Sequence, residues 1–271
     1  MGEHTMRPLK GVVWLLFAAI SYLIVAEAVS PWVKLPSAGN ILFTLVFVLF
    51  SVMHCAALEG AKRTAIFFFA SAIVTYAMEE IGVRTGWIFG AYHYSDLLGP
   101  KLGHVPVLIP LGWFMMIYPS WMVARTLMQG LNTRSALSIV LQAAIAAVTM
   151  TAWDVVMDPA MAAGRNWVWE NGGAYYGVPR HNYLGWLMTT FLVYLIAGFV
   201  WKTTDRSYAK QRWFPLLPVI VYALFAARYV AYNRFVALQM VAIFTMGLPS
   251  LLALTRALLA PELEAERPVL L

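Results

Sequence analysis

The sequence predicts an all-α protein, a polytopic membrane helical bundle with seven to eight transmembrane helices in a single integral-membrane domain over residues 1–271. Hydrophobic residues make up 61% of the chain and charged residues only 12%, about half of the roughly 25% that is usual for soluble domains. The mean hydropathy is +0.71. The apolar residues also fall into runs of about 20, the length that a helix needs to cross a hydrocarbon core of about 30 Å.

Eight apolar runs have the length of a membrane span. Lipid offers no hydrogen-bond partners to backbone N–H and C=O groups, so each run is expected to be helical. The predicted spans cover residues 11–30, 40–58, 64–83, 105–124, 136–157, 182–201, 213–232 and 235–255. Only Asn233 and Arg234 separate the last two runs, which predicts either a tight helical hairpin or one long kinked helix.

The positive charges predict the orientation of the chain. The formal net charge is +6, but Lys and Arg lie singly or in pairs at the ends of apolar runs, which is not the pattern of a nucleic-acid-binding protein. With eight spans, twelve of the 19 Lys and Arg residues fall on the side of both termini and seven on the other side. The richer side is expected to be cytoplasmic, which predicts a multi-pass protein of the cell membrane with cytoplasmic termini.

Two stretches of the chain, residues 79–115 and 154–188, predict an internal repeat. A shift of 73 positions places Gly99 on Gly172, residues 105–106 on 178–179, and residues 111–113 on 184–186. The repeat units cover about residues 64–125 and 136–201. Both units begin on an odd-numbered span, so the repeat is parallel, as in some transporters. The two Gly/aromatic loops are therefore expected on one membrane face, and the charge count makes this the non-cytoplasmic face.

Carboxylates gather at the ends of the third and fifth spans. Of the 13 acidic residues, Glu79, Glu80, Asp154 and Asp158 lie there, and a carboxylate at membrane depth usually faces a partner or a polar cavity. Asp154 and Asp158 are four residues apart and share a helix face. Two ionised carboxylates would repel each other there, which favours one protonated side chain, as a general acid requires.

Ordinary structural roles remain open for two of these carboxylates. Glu80 and Arg84 are spaced as a common helical ion pair. Asp158 precedes Pro159 and could simply end its helix.

Aromatic residues crowd the same two loops and alternate with glycines. An interfacial aromatic belt accounts for some of them but not for the alternation, and glycines let a loop approach a ligand closely. Aromatic faces also stabilise cations. Acids and aromatic walls in an apolar pocket are suited to protonating an alkene and holding the resulting carbocation.

Other chemistries lack their motifs. Cys55 is the only cysteine, so no disulfide forms within the chain. The five histidines have no zincin spacing, and neither a P-loop, a dinucleotide-binding glycine motif nor a serine nucleophile elbow occurs. We therefore expect no metal and no cofactor.

The loop motifs resemble those of the CruF-type carotenoid 1,2-hydratases, integral-membrane carotenoid biosynthesis proteins that include the bisanhydrobacterioruberin hydratases. The resemblance covers about residues 54–186. It rests on Glu79–Gly86, Phe89-Gly90-x-Tyr92-x-Tyr94, Val105–Trp113, Trp153-Asp154-x-x-x-Asp158-Pro159, and Tyr176–Pro179 with Asn182 and Trp186.

This resemblance implies a cofactor-independent hydro-lyase. It would add water across the C1–C2 double bond of an acyclic ψ-end group and give a 1-hydroxy carotenoid. Asp154 or Glu80 would donate the proton, and the other carboxylates, including Asp158 and Glu79, would position water. The candidate substrate-binding residues are Trp113, Trp153, Tyr94, Tyr92, Trp87, Tyr176, Asn182, Trp186, Arg84 and Arg228, of which Asn182, Arg84 and Arg228 would tune or orient the acids.

Two alternatives remain open. The acidic helix ends also look like those of membrane-bound lycopene cyclases. The cyclase-type motif is Pro-x-Glu-Glu, however, and here Ala77-Met78 precedes Glu79-Glu80, which favours the hydratase. A transporter or lipid-binding protein would also explain the repeat, but no polar group is evident at mid-membrane, where transport sites lie. The expected partners are a carotenoid, membrane lipid and other carotenoid-biosynthesis enzymes, and no nucleic acid.

Overall fold

Long helices dominate the computed structural model, which describes residues 3–129, 135–201 and 213–265. The helices are α1 (Glu3–Val29), α2 (Asn40–Glu59), α3 (Ala61–Thr85), α4 (Leu108–Leu127), α5 (Ala136–Ala163), α6 (Arg180–Trp201), α7 (Leu217–Ala231), α8 (Val236–Ala242) and α9 (Leu248–Ala265), and a π-helical turn, Ile243–Gly247, joins α8 to α9. Four short strands lie in the loops: β1 (Tyr92–Tyr94), β2 (Lys101–Leu102), β3 (Val105–Pro106) and β4 (Trp167–Trp169).

Seven helical segments in the described part of the chain are long and apolar enough to cross a membrane: α1, α2, α3, α5, α6, α7 and the continuous segment of α8 and α9. Helix α4, which covers most of the predicted span 105–124, is not among them. Large apolar side chains such as Leu15, Ile73 and Val236 lie on their outer surface, 72%, 67% and 74% exposed. Such a surface suits lipid rather than water. The all-α architecture and the multi-pass membrane character predicted from the sequence are confirmed.

Helix α4 differs from the other long helices because protein surrounds it. Every residue from Trp113 to Ala124 is buried, and α4 packs against α2, α3, α5, α7 and α9. Since its neighbours are side chains rather than lipid, α4 carries Trp, Tyr and Pro and is less apolar than the outer helices. It forms the centre of the bundle.

Two boundaries that the sequence left open are settled by the structure. Helix α7 ends at Ala231 and α8 begins at Val236, with Asn233 Oδ1 accepting a hydrogen bond from the Phe235 amide in the turn between them, 3.0 Å. The last two spans therefore form a tight hairpin. Helix α5 continues through Pro159 to Ala163, so the interpretation of Asp158 as a helix terminator is wrong.

The two Gly/aromatic loops contact each other directly. Strand β1 pairs antiparallel with β4, with Tyr92 opposite Trp169 and Tyr94 opposite Trp167. Outside the strands, the Ser95 amide donates to the Asn166 carbonyl and the Glu170 amide donates to the Ala91 carbonyl. Both loops thus lie at one end of the bundle, as the parallel arrangement predicts. The exact repeat units and the single-domain boundary stay predictions.

Glycine at position 185 lets the two predicted repeat units approach each other. A Cβ added to Gly185 on α6 would lie 2.3 Å from the Ile88 carbonyl oxygen and 2.6 Å from a ring carbon of Phe89. Any side chain there would push the loop that follows α3 away from α6. This glycine therefore allows the loop that carries Ile88 and Phe89 to pack closely against α6.

Candidate active site

A cavity of about 170 Å³ lies where α3, α4, α5 and α6 meet the β1–β4 ribbon. Because successive side chains of a strand point to opposite faces, each strand buries two aromatic rings and exposes the residue between them. The aromatic lining consists of Phe43, Phe89, Tyr92, Tyr94, Trp113, Trp153, Trp167, Trp169, Trp186, Phe225 and Tyr229, and the charged or amide-bearing lining consists of Glu27, Asn40, Glu79, Asp158, Asn182 and Arg228.

Glu79 on α3 is the carboxylate that the first loop surrounds. Its side chain is buried and accepts hydrogen bonds from Tyr94 Oη at 2.7 Å and from Trp113 Nε1 at 2.9 Å. Tyr92 Oη donates to the same carboxylate oxygen as Tyr94. Three donors complement the charge of an ionised carboxylate.

The two tyrosines that hold Glu79 remain hydrogen-bond donors at physiological pH. Burial, and then the neighbouring Glu79 carboxylate, raise the pKa of both Tyr92 and Tyr94 well above the ordinary value for a phenol. Both hydroxyls therefore keep their protons. Their orientation toward Glu79 follows from the β1–β4 pairing, which turns both rings inward.

Asp154 and Asp158 on α5 form a second acidic group, one helical turn apart. Asn182 Nδ2 bridges them, 3.0 Å from Asp154 Oδ2 and 2.7 Å from Asp158 Oδ2. Trp167 Nε1 donates to the other oxygen of Asp158 at 2.6 Å. Asp158 lines the cavity, whereas Asp154 is fully buried beside it.

Tryptophan rings from α4, α5 and α6 build one wall. Trp113 and Trp186 stack with ring centroids 3.7 Å apart and planes 14° apart. Trp153 meets Trp186 edge-on at 6.0 Å. These rings offer π faces and indole edges to the cavity, and such faces attract cations.

Arg228 and Glu27 form an ion pair on the α1–α7 side of the cavity. Arg228 Nη2 lies 2.9 Å from Glu27 Oε2, and the guanidinium lies 4.6 Å from the centroid of the Tyr229 ring. The sequence predicts that Arg228 orients the catalytic acids, but its partner in the structure is Glu27. Glu27 was missed because it lies outside the repeat, although a carboxylate within an apolar run is itself a signal.

Glu80, predicted from the sequence as a possible proton donor, does not line the cavity. It accepts from Arg84 Nε at 2.7 Å and from the backbone amide of His104 at 2.9 Å. Consecutive residues on a helix point about 100° apart. Since Glu79 faces the cavity, Glu80 and its partner Arg84 face the β2–β3 hairpin, and Arg84 does not orient the cavity acids.

Two aromatic residues that were predicted to bind substrate, Trp87 and Tyr176, do not line the cavity. Trp87 is 77% exposed. Tyr176 is 39% exposed, and its ring packs against Phe235 with centroids 4.8 Å apart. Apart from these two and Arg84, the predicted substrate-binding residues line the cavity: Trp113, Trp153, Tyr94, Tyr92, Asn182, Trp186 and Arg228.

The potential metal ligands do not converge. Across residues 3–129, 135–201 and 213–265, no group of three His, Cys, Asp or Glu side chains is arranged to hold a metal ion. His54, in the interior of the bundle, uses both ring nitrogens at 2.7 Å, one with Tyr118 Oη and the other with the Phe214 carbonyl. Its contacts are those of a structural histidine.

The segment of the chain that matches known proteins holds all the aromatic and polar residues of the cavity lining except Glu27. A family of sequences described as carotenoid biosynthesis protein matches residues 39–249. The bisanhydrobacterioruberin hydratase of Haloarcula japonica is 30% identical over 209 residues, which cover 74% of this chain and 66% of that protein. The chain thus spans just under two thirds of the length of this relative. No solved structure matches.

Proposed function

Because the chain belongs to the carotenoid biosynthesis protein family, we propose that it is a carotenoid hydratase. It adds water across the C1–C2 double bond of an acyclic ψ-end group and forms a 1-hydroxy carotenoid. The observation that carries this proposal is the presence of two buried carboxyl sites, Glu79 and the Asp154–Asp158 pair, at one aromatic-walled cavity. The hydratase name of the 30% identical relative supports it.

The Asp154–Asp158 pair acts as the proton donor. Two neighbouring carboxyls that share the Asn182 amide are suited to holding one proton between them, since like charges so close disfavour double ionisation. Asp158 borders the cavity and delivers the proton to C2. The alkene electron pair forms the new C–H bond and leaves a tertiary cation at C1.

The aromatic wall and Glu79 complete the reaction. The π faces of the tryptophan wall stabilise the cation at C1, by about 0.5–2 kcal/mol for each well-placed ring. Glu79, held by Tyr92, Tyr94 and Trp113, orients a water molecule and accepts its proton as the oxygen bonds to C1. One water is consumed, and one proton must return from Glu79 or solvent to the Asp154–Asp158 pair.

The size of the cavity supports action on the end of a chain. Its volume of about 170 Å³ is close to the roughly 150 Å³ of a cavity that binds benzene. Such a space admits one isoprenoid end group and excludes the long polyene. The rest of the carotenoid would lie between helices or in lipid.

Pigment analysis tests the proposal. The protein is expressed in bacterial cells that accumulate lycopene, in water enriched in heavy oxygen. We expect more polar pigments that are one water heavier and that carry the heavy oxygen. A cyclised pigment of unchanged mass would instead indicate a cyclase, and unchanged lycopene would contradict both reactions for this carotenoid.

The Asp154→Asn variant is the matched control in the same cells. It preserves the size of the side chain but removes the carboxyl that shares the proton with Asp158. We expect folded protein and unmodified lycopene, since loss of a general acid lowers rates by about 10²–10⁴-fold. Normal amounts of hydroxylated pigment would contradict the assignment of the acid.

A further inference from the structure

Asp154 is connected to the cavity only through its neighbours. Its side chain is completely buried, and one oxygen accepts from Asn182. Among the residues that the structure describes, the other oxygen, Oδ1, has no hydrogen-bond partner. A buried carboxyl oxygen is strongly favoured to have one, so this atom points to a ligand outside the carotenoid cavity.

Two tyrosines lie at and just before the start of α6, at the loop end of the bundle. Tyr183 directly follows Asn182, whose amide bridges Asp154 and Asp158. Tyr175, in the loop before α6, contacts Tyr183 edge-on with ring centroids 5.4 Å apart. Within the described ranges, the buried hydroxyl oxygens of both tyrosines also lack partners.

The residue Tyr175 lies partly at the surface of the loop before α6. It is half-buried, and its amide donates to the Val178 carbonyl in a tight loop at the end of the bundle. Neither Tyr175 nor Tyr183 lines the main cavity. The three unpartnered oxygens therefore belong to residues near the loop end of the bundle that do not line the main cavity.

We propose that Tyr175, Tyr183 and Asp154 form a water-assisted proton path from the loop surface to the acid pair. A water molecule bridges Tyr183 Oη and Asp154 Oδ1. A solvent proton bonds to the hydroxyl of Tyr175 as that hydroxyl releases its own proton to Tyr183, and the same exchange passes through Tyr183 and the water. Asp154 then changes from carboxylate to carboxylic acid, and every O–H bond formed replaces one broken.

This path, which rests on the proposed function, returns a proton to the acid pair while substrate occupies the main cavity. An apolar end group fills the cavity apart from the one water held by Glu79 and excludes bulk solvent, so Asp158 is shielded from solvent protons while substrate is bound. The acid pair gives up one proton in each turnover. Tyr183 and Tyr175 restore that proton from solvent without passing it through the cavity, and Glu79 releases the proton that it took from water when the product leaves.

Infrared spectroscopy tests the path without requiring turnover. The purified full chain in lipid nanodiscs, with its cavity filled by a fully saturated analogue of lycopene that cannot be protonated, is transferred to heavy water, and the carboxylic-acid band that disappears in Asp154→Asn is followed. We expect rapid exchange in the natural protein and exchange slower by about 10²-fold in Tyr183→Phe, the lower limit for loss of a proton-transfer group. Tyr175→Phe, on the loop, should also slow the exchange, and it replaces Tyr183→Phe in the test if that variant does not fold.

Tyr194→Phe is the matched control. Tyr194 is a buried tyrosine on the same helix whose hydroxyl donates to the Ile117 carbonyl at 2.9 Å. Its variant should exchange at the natural rate. Equal exchange in Tyr183→Phe and the natural protein, or the absence of any band that depends on Asp154, would overturn the proposal.

Turnover separates this proposal from the proposed function. In pigment assays on the same nanodiscs, Tyr183→Phe should lower kcat, leave KM unchanged and raise the solvent isotope effect. Hydration by the natural protein together with unaltered exchange in Tyr183→Phe would leave the hydratase function in place and overturn the path alone. Slowed exchange without any hydration would support the path and contradict the function.

Discussion

At the scale of single residues, two adjacent glutamates have different environments. Glu79 accepts three hydrogen bonds inside the cavity wall. Glu80 forms an ion pair with Arg84 near the surface, with 15% of its side chain exposed. Local sequence does not distinguish them, because both lie at the same helix end. The rotation of α3 distinguishes them, and that rotation is set where Gly82 packs against Phe89.

This difference predicts opposite outcomes for two neighbouring substitutions. Glu79→Gln should lower hydration by about 10²–10⁴-fold, because it removes the base that accepts the proton of water. Glu80→Gln should retain hydration and lose no more than about 1 kcal/mol of stability, the usual range for a surface ion pair. Hydroxylated pigment per amount of folded protein, measured by chromatography, checks both.

The reverse pattern would restore the assignment made from sequence. If Glu80→Gln abolished the product and Glu79→Gln did not, the carboxylate outside the cavity would have to act through a rearranged loop. Folding of each variant is verified by size-exclusion chromatography before the pigments are compared.

At the scale of elements, the junction between the loop after α3 and helix α6 holds the site together. Gly185 leaves no room for a Cβ against Ile88 and Phe89. Phe89 and the neighbouring Tyr92 both line the cavity, so a shift of this loop moves two aromatic rings of the cavity wall. The repeated Leu-Gly-Trp motif therefore has a packing reason in its second copy.

Gly185→Ala should consequently damage both stability and activity. Overpacking of this kind costs about 1–3 kcal/mol, which we expect as a lower Tm, and the displaced loop should reduce hydration. The control is Gly11→Ala on α1, where an added Cβ meets nothing within 4 Å. A Gly185→Ala protein with unchanged Tm and activity would contradict the tight junction.

At the scale of the whole molecule, the bundle has one functional end. The β1–β4 pairing brings the loops of both predicted repeat units together, and the cavity lies beneath them. From the excess of Lys and Arg on the other side of the predicted topology, we expect this end to be non-cytoplasmic. Several of those cations fall in residues 130–134, 202–212 and 266–271, outside the described residues.

Cysteine labelling tests this orientation. The single natural cysteine, Cys55, is buried, so single cysteines can be introduced with little background. Trp87→Cys and Asn171→Cys, both at exposed loop positions, should react with a membrane-impermeant reagent in intact cells. Lys62→Cys, at an exposed position in the first turn of α3, should react only after the membrane is opened. Labelling of Trp87→Cys and Asn171→Cys from different sides would contradict the topology.

Much of this architecture follows from local properties of the chain. The length of an apolar run decides whether it spans a membrane, and the parity of the spans decides which loops share a face. For this reason the helical bundle, the meeting of the two loops and the presence of acids near them were predictable. The motifs in residues 79–115 and 154–188 likewise pointed to the family.

The rotation and depth of each side chain required the tertiary structure. Only the packing of α3 places Glu79 rather than Glu80 in the cavity, and only the α1–α7 contact pairs Arg228 with Glu27. Tertiary packing also decides that Asn182 on α6 bridges Asp154 and Asp158 on α5. The length of an apolar run depends only on consecutive residues, whereas the face that a helix turns inward depends on packing against residues far away in the chain.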